Sequence, residues 1–174
     1  MSLRTRVAVL VLSAAGVTTI ANWEGFRDKA YLPTKNDRPT VGFGSTYNSD
    51  GTPVKMGQTI TREAATKLLT TKANEVYAVA VKKCAPYELF QYEFDAYVDF
   101  TYNLGAGVFC NSRIPKYIAE QNYEAACKEM LKYNKQCTKL PDGTKSCIVL
   151  PGLDKRRKDN YEKCMGAQEP KENK

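Results

Sequence analysis

Asn22-Trp-Glu-Gly-Phe-Arg-Asp-Lys-Ala-Tyr-Leu-Pro-Thr-Lys-Asn-Asp-Arg-Pro-Thr-Val-Gly-Phe-Gly-Ser-Thr46 is the stretch that decides how this chain is read. It opens with Glu24, directly after an uncharged apolar run that reads as a helix. Gly25 breaks that helix, and a turn-rich segment then carries Asp37 and Thr40. Thr40-Val-Gly-Phe-Gly44 reads as a short strand whose glycines permit close backbone approach. A helix-end acid facing an acid on a hairpin can place two carboxyl groups across a glycosidic bond. Glycoside hydrolysis needs such a pair, one protonated to assist the leaving oxygen and one ionised to activate water or stabilise charge. Spacing alone does not establish this, because most Asp and Glu side chains are solvated surface groups.

The runs Glu24-Gly-Phe-Arg27, Ala30-Tyr31 and Pro39-Thr-Val-Gly-Phe-Gly44 resemble the signature of the phage-type lysozymes, the endolysins of glycoside hydrolase family 24. Asp95-Ala-Tyr-Val-Asp-Phe-Thr-Tyr-Asn-Leu-Gly-Ala-Gly107 resembles their second signature, and Gly152-Leu153 with Arg156-Arg157 follows in the family's order. The resemblance implies an α+β, lysozyme-like fold. In it a small antiparallel sheet lobe and a larger helical lobe are joined by a long helix, with the cleft between them. It also implies a Glu, Asp and Thr triad, and Glu24 and Thr40 fall on its first and last positions. The commonest family pattern places the Asp where Thr34 stands here. Asp37 is the only carboxylate between Tyr31 and Thr40, and it is assigned the middle role. Tyr31, Gly44, Asn103 and Gly105 occupy positions that the resemblance associates with bound sugar. The slot after Gly-x-Gly, often His in the family, is Ser45. The chain has no His, which excludes imidazole-dependent catalysis and a His-ligated metal; neither cofactor nor metal is expected.

With 174 residues the chain is long enough to bury a core and reads as one domain. Its six cysteines all lie in the second half, with no C-x-x-C pair that would suggest a zinc ribbon or a thioredoxin-like site. An even number in a chain that leaves the cytoplasm points to disulfides in an oxidising compartment. Connectivity is formally one of about fifteen. The preferred set is Cys137–Cys147, clipping a Pro-Asp-Gly-Thr turn, with Cys127–Cys164 and Cys84–Cys110. The net charge of +7 suits a polyanionic partner such as a bacterial envelope. Basic residues are scattered among acids rather than ranked on one helix, so nucleic acid is not an expected partner.

The seventeen residues from Val7 to Trp23 carry no charge and follow Arg4 and Arg6. That is the lower edge for spanning a bilayer, and the flanking arginines would hold the N-terminus in the cytoplasm. Three readings compete: a signal-anchor that inserts weakly and is later released, the first helix of the domain, or a cleaved signal with Ser13-Ala14-Ala15 as its small-residue site. As a helix, the run would place Leu10, Ala14, Val17 and Ala21 on one stripe.

Residues 25–58 read as a small sheet with turns at Pro33–Asp37 and Asn48–Gly51. A helix is expected over 61–83, capped by Thr61, with Ala65, Leu68, Leu69, Val76, Val79 and Ala80 on its apolar face. Residues 87–165 form the helical lobe. There Leu89, Phe90, Phe94, Tyr97, Val98 and Phe100 line a helix that stops at Gly105. Ser112 and Asn122 are expected caps of two shorter helices, and Asp154 to Lys163 reads as a basic closing helix. Arg156 and Arg157 are candidates to pair with Glu24 or to remain solvated. The tail 168–174 is polar and expected to be disordered.

These readings converge on a monomeric endolysin cutting the β-1,4 bond between N-acetylmuramic acid and N-acetylglucosamine in peptidoglycan. It would act in the host periplasm, tethered to the inner membrane before release. Glu24 would be the general acid, its pKa raised by a partly apolar setting, while Asp37 and Thr40 hold the attacking water. Inversion requires a carboxyl separation of about 6.5–9.5 Å. The rivals are a lytic transglycosylase and a non-catalytic basic module that binds wall or membrane.

Overall fold

The computed structural model describes residues 4–166, so the expectation for the tail 168–174 lies outside the described residues. The chain divides into two compact units: Val11–Val79, and Met1–Leu10 with Ala80–Lys174.

In the unit Val11–Val79, helix α1 spans Ala14–Glu24. Its N-cap is Ser13, whose side chain accepts the Gly16 N–H at 3.1 Å, which satisfies an otherwise orphaned donor. Helix formation at Ser13, not earlier, corrects the expected stripe. Val7–Val9 form a 3₁₀ turn and Leu10 is extended (ψ 143°), so Leu10 lies outside the helix. Gly16, Val17 and Ile20 face inward while Ala14 is exposed. Among the described residues no helix is long and apolar enough to cross a membrane. The strands β2 (Arg27–Tyr31) and β3 (Thr40–Gly42) pair antiparallel, Arg27 opposite Gly42 and Tyr31 opposite Thr40, with a register shift between.

Helix α2 (Arg62–Lys72) starts at Thr61, whose side chain accepts the Ala64 N–H. It passes through a π-helical segment, Ala73–Ala78, into α3 (Val79–Cys84), and the division between the units falls between Val79 and Ala80. The π turn inserts a residue into the helical count and rotates the inward face. Ala65 and Leu69 are buried as expected, but Ala73, Ala78 and Val81 take the place assigned to Val76 and Val79, which are about half exposed.

In the other unit, β1 (Thr5–Arg6) pairs antiparallel with β4 (Glu88–Leu89). Arg4 seals this edge. Its guanidinium makes two bonds to the buried Glu93 carboxylate, at 2.8 and 3.1 Å, and lies over the Phe90 and Tyr123 rings. Glu93 also accepts the Phe90 N–H at 2.8 Å, capping helix α4 (Gln91–Leu104). Phe94, Tyr97, Val98 and Phe100 of α4 are fully buried, and the helix ends at Gly105 with φ 91°.

Four further helices complete this unit: α5 (Ala106–Asn111), α6 (Ile114–Ala119), α7 (Tyr123–Glu129) and α8 (Pro151–Cys164). Asn122 caps α7 through the Ala125 N–H. Ser112 does not cap α6 as expected, because the N-cap is Arg113; Ser112 instead ends α5, its hydroxyl accepting the Ile114 N–H from the turn between the two helices. Between α7 and α8, β5 (Lys135–Lys139) and β6 (Lys145–Val149) form a hairpin. Three disulfides, Cys84–Cys110, Cys127–Cys164 and Cys137–Cys147, all lie in this unit.

The main contact of the helical unit is α4 against α8, and it contains a buried charge cluster. Asp99 is 1% exposed and accepts from Arg156 Nη2 at 2.6 Å and from the Asn160 amide. Arg157, also buried, donates through Nη2 to Asn103 Oδ1 at 2.9 Å and lies over the Phe100 ring. Burial presses its guanidinium down to about 10, against the opposing pull of Asp99. Neither arginine is solvated as one expectation had it: both are buried, Arg156 on Asp99 and Arg157 on Asn103. Removing one partner of a buried pair strands the other charge and costs about 3–5 kcal/mol. Arg156→Ala is therefore expected to lose about 3 kcal/mol, read as a lower denaturant midpoint at unchanged slope; a loss under about 1 kcal/mol would show that the pair is not needed.

Candidate active site

Glu24 is the last residue of α1, and the helix stops because Gly25 takes φ 69°, which closes the final turn through Gly25 N–H to Ala21 O at 3.1 Å. The side chain is half-buried. Beside it runs the Gly42-Phe-Gly44 turn, where Val41 and Ser45 exchange both backbone bonds, at 2.9 and 3.0 Å. Both glycines have positive φ, +66° and +83°. A methyl group at Gly44 would lie 3.9 Å from Glu24 Oε2, so the bare backbone of this turn lines one side of the carboxyl. Tyr77 is the other neighbour: burial first, and then the charge of Glu24, hold its phenol above the usual range. Sequence reading missed Tyr77, since a tyrosine on a helix carries no signal that separates it from packing.

Thr40 is buried on β3 opposite Tyr31, and its hydroxyl donates to Arg38 O at 3.0 Å. Arg27 stacks over the Tyr31 ring at 4.8 Å. Asp37 is exposed in the loop between β2 and β3. Its N–H bonds Thr34 O, and its carboxylate accepts the Thr34 hydroxyl at 3.4 Å and the Arg38 N–H at 3.2 Å. The displaced acid thus sits beside Thr34, the position where the family pattern has its Asp. Arg38 Nη1 donates to the Tyr47 hydroxyl at 2.8 Å, tying down the end of the loop. Phe26 and Phe43 pack at 5.4 Å with Arg62 over the Phe26 ring, framing the turn, a second feature that spacing did not reveal. The slot residue Ser45 donates its hydroxyl to Tyr47 O at 2.6 Å.

Glu24, Tyr31, Asp37, Thr40 and Gly44 all belong to the unit Val11–Val79. Asn103 and Gly105 belong to the helical unit, at the end of α4, where Asn103 is held by Arg157. Among the described residues no group of three or more His, Cys, Asp or Glu could hold a metal ion.

A helix-end glutamate against a glycine hairpin, in an α+β chain with a mainly helical second unit, defines a lysozyme-like fold. An endolysin from Escherichia coli O157:H7 phage FAHEc1 superposes with a TM-score of 0.79 at 31% identity, over 97% of this chain and 100% of that one. Residues 21–160 match the model of the phage lysozyme family, and the chain belongs to that family. It is 32% identical to the endolysin of Salmonella phage P22 over 149 residues, which is 86% of this chain and 97% of that protein. It is 36% identical to the endolysin of Bacillus phage B103 over 133 residues, 76% of this chain. The chain spans about half the length of the Bacillus phage relatives it matches.

The hairpin glycines are required for different reasons. A Cβ at Gly42 would lie 2.8 Å from Ala65 Cβ, whereas Gly44 has only Glu24 Oε2 within 4 Å. Gly42→Ala is expected to lose about 3 kcal/mol, from left-handed strain and overpacking together. Gly44→Ala should lose about 1 kcal/mol, from strain alone. Equal unfolding midpoints for the two variants would contradict this account.

Proposed function

We propose that this protein is an endolysin that hydrolyses the β-1,4 bond between N-acetylmuramic acid and N-acetylglucosamine in peptidoglycan, without a cofactor. The observation that carries the proposal is the half-buried Glu24 carboxyl at a helix end, with the bare backbone of Gly44 against it. Glu24, in its protonated form, donates to the leaving glycosidic oxygen. The Thr40 hydroxyl already donates to Arg38 O, so its oxygen is free to accept a hydrogen bond from the attacking water, and that hydrogen stays on the new anomeric hydroxyl. Asp37, ionised, takes the water's other proton as the bond to the anomeric carbon forms. Water entering opposite the leaving group inverts the anomeric centre. Tyr31, across the ladder from Thr40, and Gly44 line the sugar, and Asn103 and Gly105 supply further sugar contacts.

Purified peptidoglycan tests this directly, by loss of turbidity. Glu24→Gln should lower the rate by about a hundredfold or more, the range for loss of a general acid, and wild type should release the α-anomer first. Unchanged lysis by Glu24→Gln would sink the glycosidase reading. Full activity of Asp37→Asn alone would remove only Asp37 from the mechanism.

We also propose that the protein works as a monomer in the periplasm, and that residues 7–23 tether it to the inner membrane before it folds. Three disulfides suit an oxidising compartment. The uncharged run is only weakly apolar, and in the folded chain Val7, Leu10, Leu12, Val17 and Ile20 are all buried. Folding therefore competes with the bilayer for the same side chains. Replacing the exposed Ala14, Ala15 and Thr18 by leucine raises membrane affinity without touching the core. That variant should stay in the membrane fraction and lyse cells more slowly; wild-type lysis timing and a soluble variant would refute the tether.

A further inference from the structure

The β5–β6 hairpin has no core of its own. Every residue of both strands is exposed, and a two-stranded ribbon with no packed face is marginal in water. Three devices hold it. Cys137 and Cys147 stand directly opposite with Cα atoms 4.0 Å apart and are bridged. At the tip, Asp142 accepts both the N–H and the hydroxyl of Thr144. At the base, the Leu150 N–H bonds Asn134 O, and the Asn134 amide bonds Asp154.

Strand alternation sorts the side chains onto two faces. One carries the disulfide with Lys135, Lys139, Lys145 and Val149; the other carries Gln136, Thr138, Ser146 and Ile148, with no charge. Lys139 and Lys145 are cross-strand partners, an arrangement that is destabilising for like charges. None of the three lysines has an ion-pair partner among the described residues. Val149 on the same face and Leu140 beyond Lys139 are 50% and 40% exposed, and Ile148 on the other face of the thin ribbon is 61% exposed. A stapled ribbon is thus held out in solvent carrying unneutralised cations and bare aliphatic groups together, and neither feature helps the chain fold.

One environment satisfies both. At the surface of an anionic bilayer, lysine ammonium groups meet lipid phosphates while neighbouring aliphatic side chains enter the headgroup boundary. A polyanion alone, such as wall carboxylate, would answer the lysines and leave Ile148, Val149 and Leu140 in water. We propose that the β5–β6 hairpin is a docking finger for anionic phospholipid surfaces. This proposal is independent of the glycosidase reading and of the N-terminal tether, because its residues belong to neither.

The test is co-sedimentation of the full chain with phosphatidylcholine vesicles, with mixed phosphatidylglycerol–phosphatidylcholine vesicles, and with purified peptidoglycan. Wild type should bind the mixed vesicles, more weakly as salt is raised, and not the neutral ones. Lys139→Ser with Lys145→Ser should lower that binding on the order of tenfold, and Ile148→Ser a further few-fold. The charge-matched control, Lys67→Ser with Lys155→Ser, alters exposed lysines that are not part of the hairpin and should lower it much less. Equal losses in the two double variants would overturn the proposal, since net charge alone would then be responsible. Equal binding to neutral vesicles, or dependence on the hairpin lysines for peptidoglycan but not for vesicles, would overturn it as well.

Discussion

The helical unit depends on one buried carboxylate. Asp99 sits inside α4 with almost no exposure, and a charge there is tolerable only if donors surround it. Arg156 and Asn160 of α8 supply them, so the two helices of the unit's most extensive helix–helix contact are bound by a requirement and not by apolar area alone. The adjacent Arg157 follows into the interior and holds Asn103 near the end of α4. Its Nε and Nη1 have no hydrogen-bond partner among the described residues, and the Phe100 face takes part of that burden. A structural constraint in the middle of α4 thereby fixes the residue proposed to touch sugar near its end.

The smaller unit reaches its geometry through backbone freedom. Gly25, Gly42 and Gly44 all take positive φ within a short span, a region that side chains other than glycine enter at a cost. Gly25 ends α1 at the point where Glu24 is left half-exposed. Gly42 lets the turn approach Ala65 of α2, and Gly44 leaves the carboxyl uncovered. The glycines that make the fold possible also make the acid accessible, so stability and the proposed chemistry draw on the same three positions.

The N-terminal segment serves the fold in a way its composition conceals. Arg4 closes on a buried Glu93 and two aromatic rings, and Glu93 in turn caps α4. Residues that read as the flank of an apolar membrane segment become an edge strand and a charge clamp. The same run can serve the proposed tether first and the folded core afterwards, because apolar side chains do not distinguish lipid from protein interior.

The α+β class, the helix beginning at Thr61, the cap at Asn122 and the stop at Gly105 were legible from the chain alone. Each is a local signal, complete within a turn of the residue that carries it. The helix end at Glu24 and the strand start at Thr40 were legible for a related reason: a short motif states both the residue and its backbone setting. Tertiary structure alone decided the phase of α1, the π turn that swaps Val76 and Val79 for Ala78 and Val81, the placing of Asp37 beside Thr34, and the commitment of Arg156 to Asp99. The last of these depends on groups far apart in sequence, Arg156 and Asp99 by 57 positions, where many carboxylates compete for each cation. Only the packed interior, by penalising every unpaired charge, selects one of them.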